Sequence, residues 1–93
     1  MAIIGFKCKD TESLFGGTRI RRFASIEASA MRKLAMLNRA ARLTDLRVPP
    51  GNRLEALSGD RKGQYSIRIN QQWRLCFIGS AAGPMDVEIV DCH

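Results

Sequence analysis

The chain has 93 residues, enough for one domain with an economical core, because a chain this short buries a smaller share of its surface than a large one. Hydrophobic residues make up 45% of it, which offsets chain entropy and excludes a disordered segment, and no apolar run approaches the length of a membrane span. Fifteen Lys and Arg against nine Asp and Glu leave a net charge of +6, and arginine predominates; planar, forked guanidiniums suit phosphate, so a polyanion is the expected partner over a merely solvated basic surface.

Cys8, Cys76 and Cys92 are odd in number and lack any CxxC spacing, which points away from a disulfide framework or a zinc knuckle and towards the cytoplasm. No metal or other cofactor is expected. The apolar stretch Ala2 to Phe6 is too short for a signal-peptide core, so neither export nor a membrane is anticipated.

In chain order, Ala2 to Phe6 can enter a sheet, and Asp10 to Phe15 followed by Gly16-Gly17 has the cap, acidic first turn and glycine stop of a short helix. Thr18 to Arg22 is a basic connector. Ser25 is the expected cap of the main helix, which should run to about Ala41 with Ile26, Ala30, Leu34, Leu37 and Ala41 on its core face and Arg32 and Arg39 opposite. Thr44 to Arg47 can add a helical turn, and Pro49-Pro50-Gly51-Asn52 is a rigid turn in which glycine supplies the positive φ.

Four strands then follow: Arg53 to Leu57, Gln64 to Ile69, Trp73 to Ile78, and Met85 to Cys92, with separators short enough for antiparallel hairpins. Tyr65, Ile67 and Ile69 alternate with Ser66, Arg68 and Asn70, as Trp73, Leu75 and Phe77 do with Arg74, Cys76 and Ile78; one sheet face should therefore carry the helices. The expectation is a single α+β domain over 1–93, a compact antiparallel sheet with a mixed edge packed on two N-terminal helices, in the order β-α-α-β-β-β-β.

Arg74 falls on the face opposite Trp73 and Leu75. There it can neutralise a phosphate and stabilise a pentacoordinate transition state, or pair with Glu55, Asp86, Glu88 or Asp91 as support. Glu55, set between Leu54 and Ala56, can serve as a general base or be a surface charge. His93, the only histidine, can donate a proton near neutral pH or be a frayed end, and Asp91 can orient it or pair with an arginine. Cys92 has no second histidine to activate it as a nucleophile, and Ser58 before Gly59-Asp60 reads as turn chemistry. Arg61, Lys62 and Arg68 form a phosphate-positioning group or a polar hairpin tip. Gly59 and Gly63 bracket a turn with no Gly-Lys-Ser or Gly-Lys-Thr after them, which disfavours nucleotide hydrolysis.

Taken together, the run Pro49 to Leu57, the run Gly59 to Asn70, Gln72 to Phe77 and Val87 to His93, with Lys33 to Leu37 in the long helix, resemble the HigB-type toxins of bacterial toxin-antitoxin modules, within the RelE superfamily. The resemblance spans essentially the whole chain. It implies a fold similar to a microbial ribonuclease core, cleavage of messenger RNA in the ribosomal A site, and inhibition by a HigA-type antitoxin that also binds operator DNA. Arg74 matches the family's arginine after tryptophan, and Asp91 and His93 match the ends of its terminal Asp-Tyr-His. Cys92 replaces the tyrosine at an RNA-facing position, removing a ring that could stack on a base. Some relatives carry histidine and lysine where this chain has Glu55 and Ser58, whereas other superfamily members pair a glutamate with arginine and histidine, the arrangement implied here.

The mechanism that follows has Glu55 accepting the ribose 2′-hydroxyl proton, Arg74 holding the phosphorane charge and His93 protonating the leaving 5′-oxygen. No metal is needed, because the nucleophile is internal to the RNA. Two other readings compete: a non-catalytic toxin that binds gyrase as ParE-like relatives do, and a plain basic RNA-binding regulator. The long helix and the connector Arg19 to Arg22 are the candidate antitoxin contacts.

Overall fold

The structure, a computed structural model, describes residues 2–61 and 63–91. Helix α1 is Lys9–Phe15, with Thr11 and Leu14, one turn apart, as its buried positions. The Thr11 hydroxyl accepts the N–H of Ile89 at 3.0 Å and so ties α1 to the last strand. The cap position is Cys8 and not Asp10, whose carboxylate is engaged instead by Arg22 Nε at 3.1 Å. At the other end Gly16 donates to the Glu12 carbonyl, and Gly17, at φ 102°, turns the chain away as predicted.

The expected cap of the main helix, Ser25, lies inside a 3₁₀ stretch, Arg21–Ile26, and helix α2 is Glu27–Arg39. Phe23 and Ile26 explain the tighter winding: 3₁₀ geometry stacks residues three apart, and both of these are buried. Ala30, Leu34 and Leu37 continue the buried stripe as predicted, but Ala40 is buried in place of Ala41. The helix stops early because the Asp45 carboxylate takes the N–H groups of Ala41 and Arg42, at 3.0 and 3.1 Å, and starts a new 3₁₀ turn over Leu43–Arg47.

The proline turn holds a second departure. Asn52 donates to the Pro49 carbonyl and Arg53 to that of Pro50, so a 3₁₀ turn over Pro50–Asn52 carries through Gly51, and the left-handed residue is Arg53, at φ 46° and ψ 58°. Asn52 is fully buried and pins this turn to the helical layer. Its amide nitrogen donates to the Leu46 carbonyl at 3.0 Å and contacts Met36 Sδ, while its oxygen accepts from Lys33 Nζ at 2.6 Å. Burial of the ammonium, with Arg32 nearby, holds the Lys33 pKa below its ordinary value.

The sheet consists of β1 Glu55–Ala56, β2 Gln64–Arg68, β3 Trp73–Ile78 and β4 Met85–Asp91, antiparallel in the order β1-β2-β3-β4. β1 is shorter than expected because Arg53 turns just before it. The leading run Ala2 to Phe6 does not form a strand of its own: Phe6 makes a single parallel bridge to Val87, supported by Ile4 N–H to the Pro84 carbonyl and Lys7 N–H to that of Val87. This is the mixed edge expected of the α+β fold.

The alternation read from β2 and β3 holds. Ile67, Leu75 and Ile89 lie side by side across three strands, and with Trp73, Phe77 and Val87 they meet Leu14, Phe23, Ile26, Leu34, Leu37 and Leu46 from the helical layer. Phe23 closes this core against Trp73, edge to face, with ring centroids 5.6 Å apart.

The two described cysteines differ in environment. Burial pushes the Cys76 thiol up, with Arg61 only partly opposing it. For Cys8, burial also acts upward, but the N–H and hydroxyl of Thr11, the Asp10 N–H and the Arg22 guanidinium, whose Nη2 lies 3.2 Å from the sulfur, together bring the thiol below its ordinary value. Lowering the pKa raises the thiolate fraction at a given pH. Timed iodoacetamide labelling with peptide mass spectrometry should therefore modify Cys8 well before Cys76, with the Cys8 rate levelling off at a lower pH than that of a free thiol; equal rates for the two sites would contradict this.

Candidate functional site

Strand register builds the site on the sheet face turned away from the helices. Glu55 pairs with Ser66, Ser66 with Cys76 and Cys76 with Glu88, so these four side chains form one row across the sheet; Arg68, Arg74 and Val90 form the next. Arg74 is the most constrained of them, its side chain only 15% exposed. Its Nε donates to Ser66 Oγ at 2.8 Å and its Nη2 to the Arg53 carbonyl at 2.9 Å. Both Nη1 hydrogens have no acceptor among the described residues. The guanidinium is thus gripped on one side and open on the other, the geometry of a preorganised anion donor.

Glu55 Oε2 stands 3.9 Å from Arg74 Nη2, and the Glu55 side chain is 58% exposed. A contact this long and wet is a weak ion pair, so the carboxylate is steered by the arginine and remains available to a ligand. Arg68 lies directly opposite Arg74 in the register, and Arg53, Arg68, Asn70, Gln71 and Arg74 line a cleft of about 390 Å³. Asn70 shapes its lip: its side-chain oxygen accepts the N–H groups of Gln72 and Trp73, both at 2.8 Å.

Glu55, Arg68 and Arg74 are therefore brought together. Arg61 is not with them: its guanidinium lies 3.7 Å from Glu88 and 3.8 Å from the Cys76 sulfur, beside Lys7, which reaches Glu88 at 3.9 Å. Asp91 pairs in register with Trp73, hence on the helix side of the sheet, and accepts from Gln72 Nε2 at 3.1 Å. Lys62, Cys92 and His93 lie outside the described residues.

Arg53 and Ser66, which hold Arg74, are not among the candidate site residues that the sequence singles out. Ser66 could have been found from register, since alternation had already placed it on the face of Arg74. Arg53 carries no such signal for its hold on Arg74, which comes from a backbone carbonyl.

A sequence model of the HigB-like toxins, RelE-like toxins of the type II toxin-antitoxin system HigB, matches residues 6–93. The chain belongs to this family. It is 46% identical over 74 residues to Toxin HigB-1 of Vibrio cholerae serotype O1, a match spanning 77% of this chain and 78% of that protein. An uncharacterized protein of Haemophilus influenzae is 36% identical over 63 residues, 68% of this chain and 62% of its own length. Among solved structures, a YoeB/ParE toxin from Agrobacterium tumefaciens aligns over 100% of this chain and 97% of its own, with 20% identity and a TM-score of 0.45. For a HigB-like toxin of a type II system, a cognate antitoxin is implied. Among the described residues, no helix of the toxin is long and apolar enough to cross a membrane.

Proposed function

We propose that this toxin is a ribosome-dependent messenger RNA endoribonuclease that inhibits translation by acid-base cleavage without a metal. The observation that carries the reading is Arg74, anchored through Nε to Ser66 and through Nη2 to the Arg53 carbonyl, with the Glu55 carboxylate 3.9 Å from Nη2. A phosphate seated on this guanidinium places Glu55 to take the proton of the neighbouring ribose 2′-hydroxyl, while Arg74 stabilises the charge of the phosphorane as it forms. His93 is assigned the proton for the departing 5′-oxygen. Asp91, two residues before it and held by Gln72, acts as a positioning group at the end of β4 and does not touch the phosphate. Cys92, standing where the family has tyrosine, offers no ring to stack on a base and is expected to weaken activity. Arg61 and Lys62 are assigned contacts to the RNA backbone.

The cognate antitoxin is assigned as a HigA-type protein that also brings the complex to operator DNA. Its contacts are the exposed arginines of the helical layer: Arg19, Arg21 and Arg22 in the connector, and Arg32 and Arg39 on α2. A substrate on the ribosome places the toxin in the cytoplasm.

The reading is tested by mapping messenger RNA ends on translating ribosomes. In-frame A-site cuts with 2′,3′-cyclic phosphate ends are expected, with a rate that falls as salt rises because phosphate contacts release counterions. Metal-dependent cuts leaving 5′-phosphates would overturn it.

A further inference from the structure

We propose that Arg53 and Arg68 form a second phosphate subsite, which holds the RNA linkage adjoining the one that Arg74 faces. The inference rests on the nuclease reading and specifies its substrate as a stretch of single-stranded RNA bound through two successive diesters. Neither guanidinium has an ion pair or hydrogen bond among the described residues, and both residues line the same cleft as Arg74. Charge favours more than one linkage. Three arginines line this cleft with no carboxylate among its lining residues, and Glu55 approaches only Arg74, at 3.9 Å, so a second diester relieves positive charge that a single one leaves.

Two features of the backbone support the same conclusion. Arg68 and Arg74 sit directly opposite each other in the ladder, where like charges are unfavourable unless an anion lies between or beside them. Arg53 occupies a left-handed conformation, φ 46° and ψ 58°, in which glycine is the least strained residue. Arg53 thus carries a long cation at a strained position on the cleft wall, where its side chain can reach an anion while its carbonyl serves Arg74.

The same conformation supplies a clean variant, since Arg53→Gly removes the guanidinium, keeps the carbonyl and relieves the backbone. Ribosomes are programmed with short messenger RNAs carrying one neutral methylphosphonate, on the 5′ or the 3′ side of the cleaved linkage. Wild-type toxin should lose about ten- to a hundredfold in kcat/KM when one of these two linkages is neutral, as expected for loss of a charge-assisted hydrogen bond. Arg53→Gly should lose a similar factor on natural RNA and nothing further on that neutral RNA. Arg68→Ala should do the same, and Arg53→Lys should recover part of the loss. Losses that multiply, with the variants as sensitive to the neutral linkage as wild type, would overturn the subsite while leaving the nuclease intact. No cutting of natural RNA by wild type would overturn the nuclease reading and the subsite with it. Thermal melts of both variants guard against misfolding: if Arg53→Gly melts below wild type, Arg68→Ala decides.

Discussion

Arg74→Ala is expected to lower messenger RNA cleavage on translating ribosomes about 10²- to 10³-fold, the usual cost of removing one preorganised donor from a developing negative charge. Its effect on stability should be far smaller. The Arg53 carbonyl is solvent-accessible and can bond water, so the main structural loss is the hydrogen bond at buried Ser66, on the order of 1 kcal/mol. Arg74→Lys is the sharper test. Lysine keeps the charge but has a single nitrogen, which cannot bond Ser66 and the Arg53 carbonyl while also presenting a second edge to phosphate. It should be nearly as inactive as alanine. End-mapping of the cleaved RNA and a thermal melt of each variant separate the two effects, and a lysine variant with wild-type rates would show that bulk charge suffices and that the anchoring of Arg74 by Ser66 and the Arg53 carbonyl is incidental.

The largest expected loss of stability belongs to Phe23. It is fully buried, lies in the 3₁₀ stretch that leads into α2, and meets Trp73 edge to face. Truncation to alanine removes the ring from the joint between the helical layer and the sheet and leaves a cavity that neighbouring side chains fill only in part, so Phe23→Ala should cost about 3–5 kcal/mol. A domain of this size is stable by only about 5–15 kcal/mol, and each kcal/mol moves the midpoint by about 4–8 °C. The melting temperature should therefore fall by at least about 12 °C, whereas Ile4→Ala, at a position 52% exposed, should move it little. Differential scanning fluorimetry decides this; equal shifts for the two variants would mean that Phe23 does not join the layers.

What the sequence revealed, and what it withheld, follow from the range of the interactions involved. β3 was legible to the residue, because the alternation of Trp73, Leu75 and Phe77 towards the helices is a local property of a strand, although Cys76 on the other face is buried as well. The stripe Ile26, Ala30, Leu34, Leu37 was legible for the same reason in helical period. The end of α2 was not, since it depends on Asp45 taking two N–H groups from residues that could otherwise have continued the helix. The turn before β1 was misread at one residue: glycine was the natural bearer of a positive φ, but two consecutive 3₁₀ bonds moved that burden to Arg53.

At the candidate site, Arg74 and Arg68 could be placed opposite the core face from period two, whereas Glu55 joins them only through its pairing with Ser66. The anchoring of Arg74 required knowing that β1 folds back beside β2, a contact across 21 residues of chain. The same register separates Arg61 and Asp91 from that cluster, a distinction that proximity in sequence does not reveal.

The short parallel bridge between Phe6 and Val87 has a bearing on how the toxin meets other proteins. It shields the outer side of β4, and at the opposite side of the sheet β1 offers two residues, preceded by a left-handed arginine and a proline turn. Among the described residues the sheet thus presents little unpaired ladder on either flank, which guards a small, charged protein against strand-to-strand aggregation. It also restricts the routes to complex formation: a partner that extends this sheet by adding a strand would first have to displace the leading segment, so recognition through side chains is the easier course.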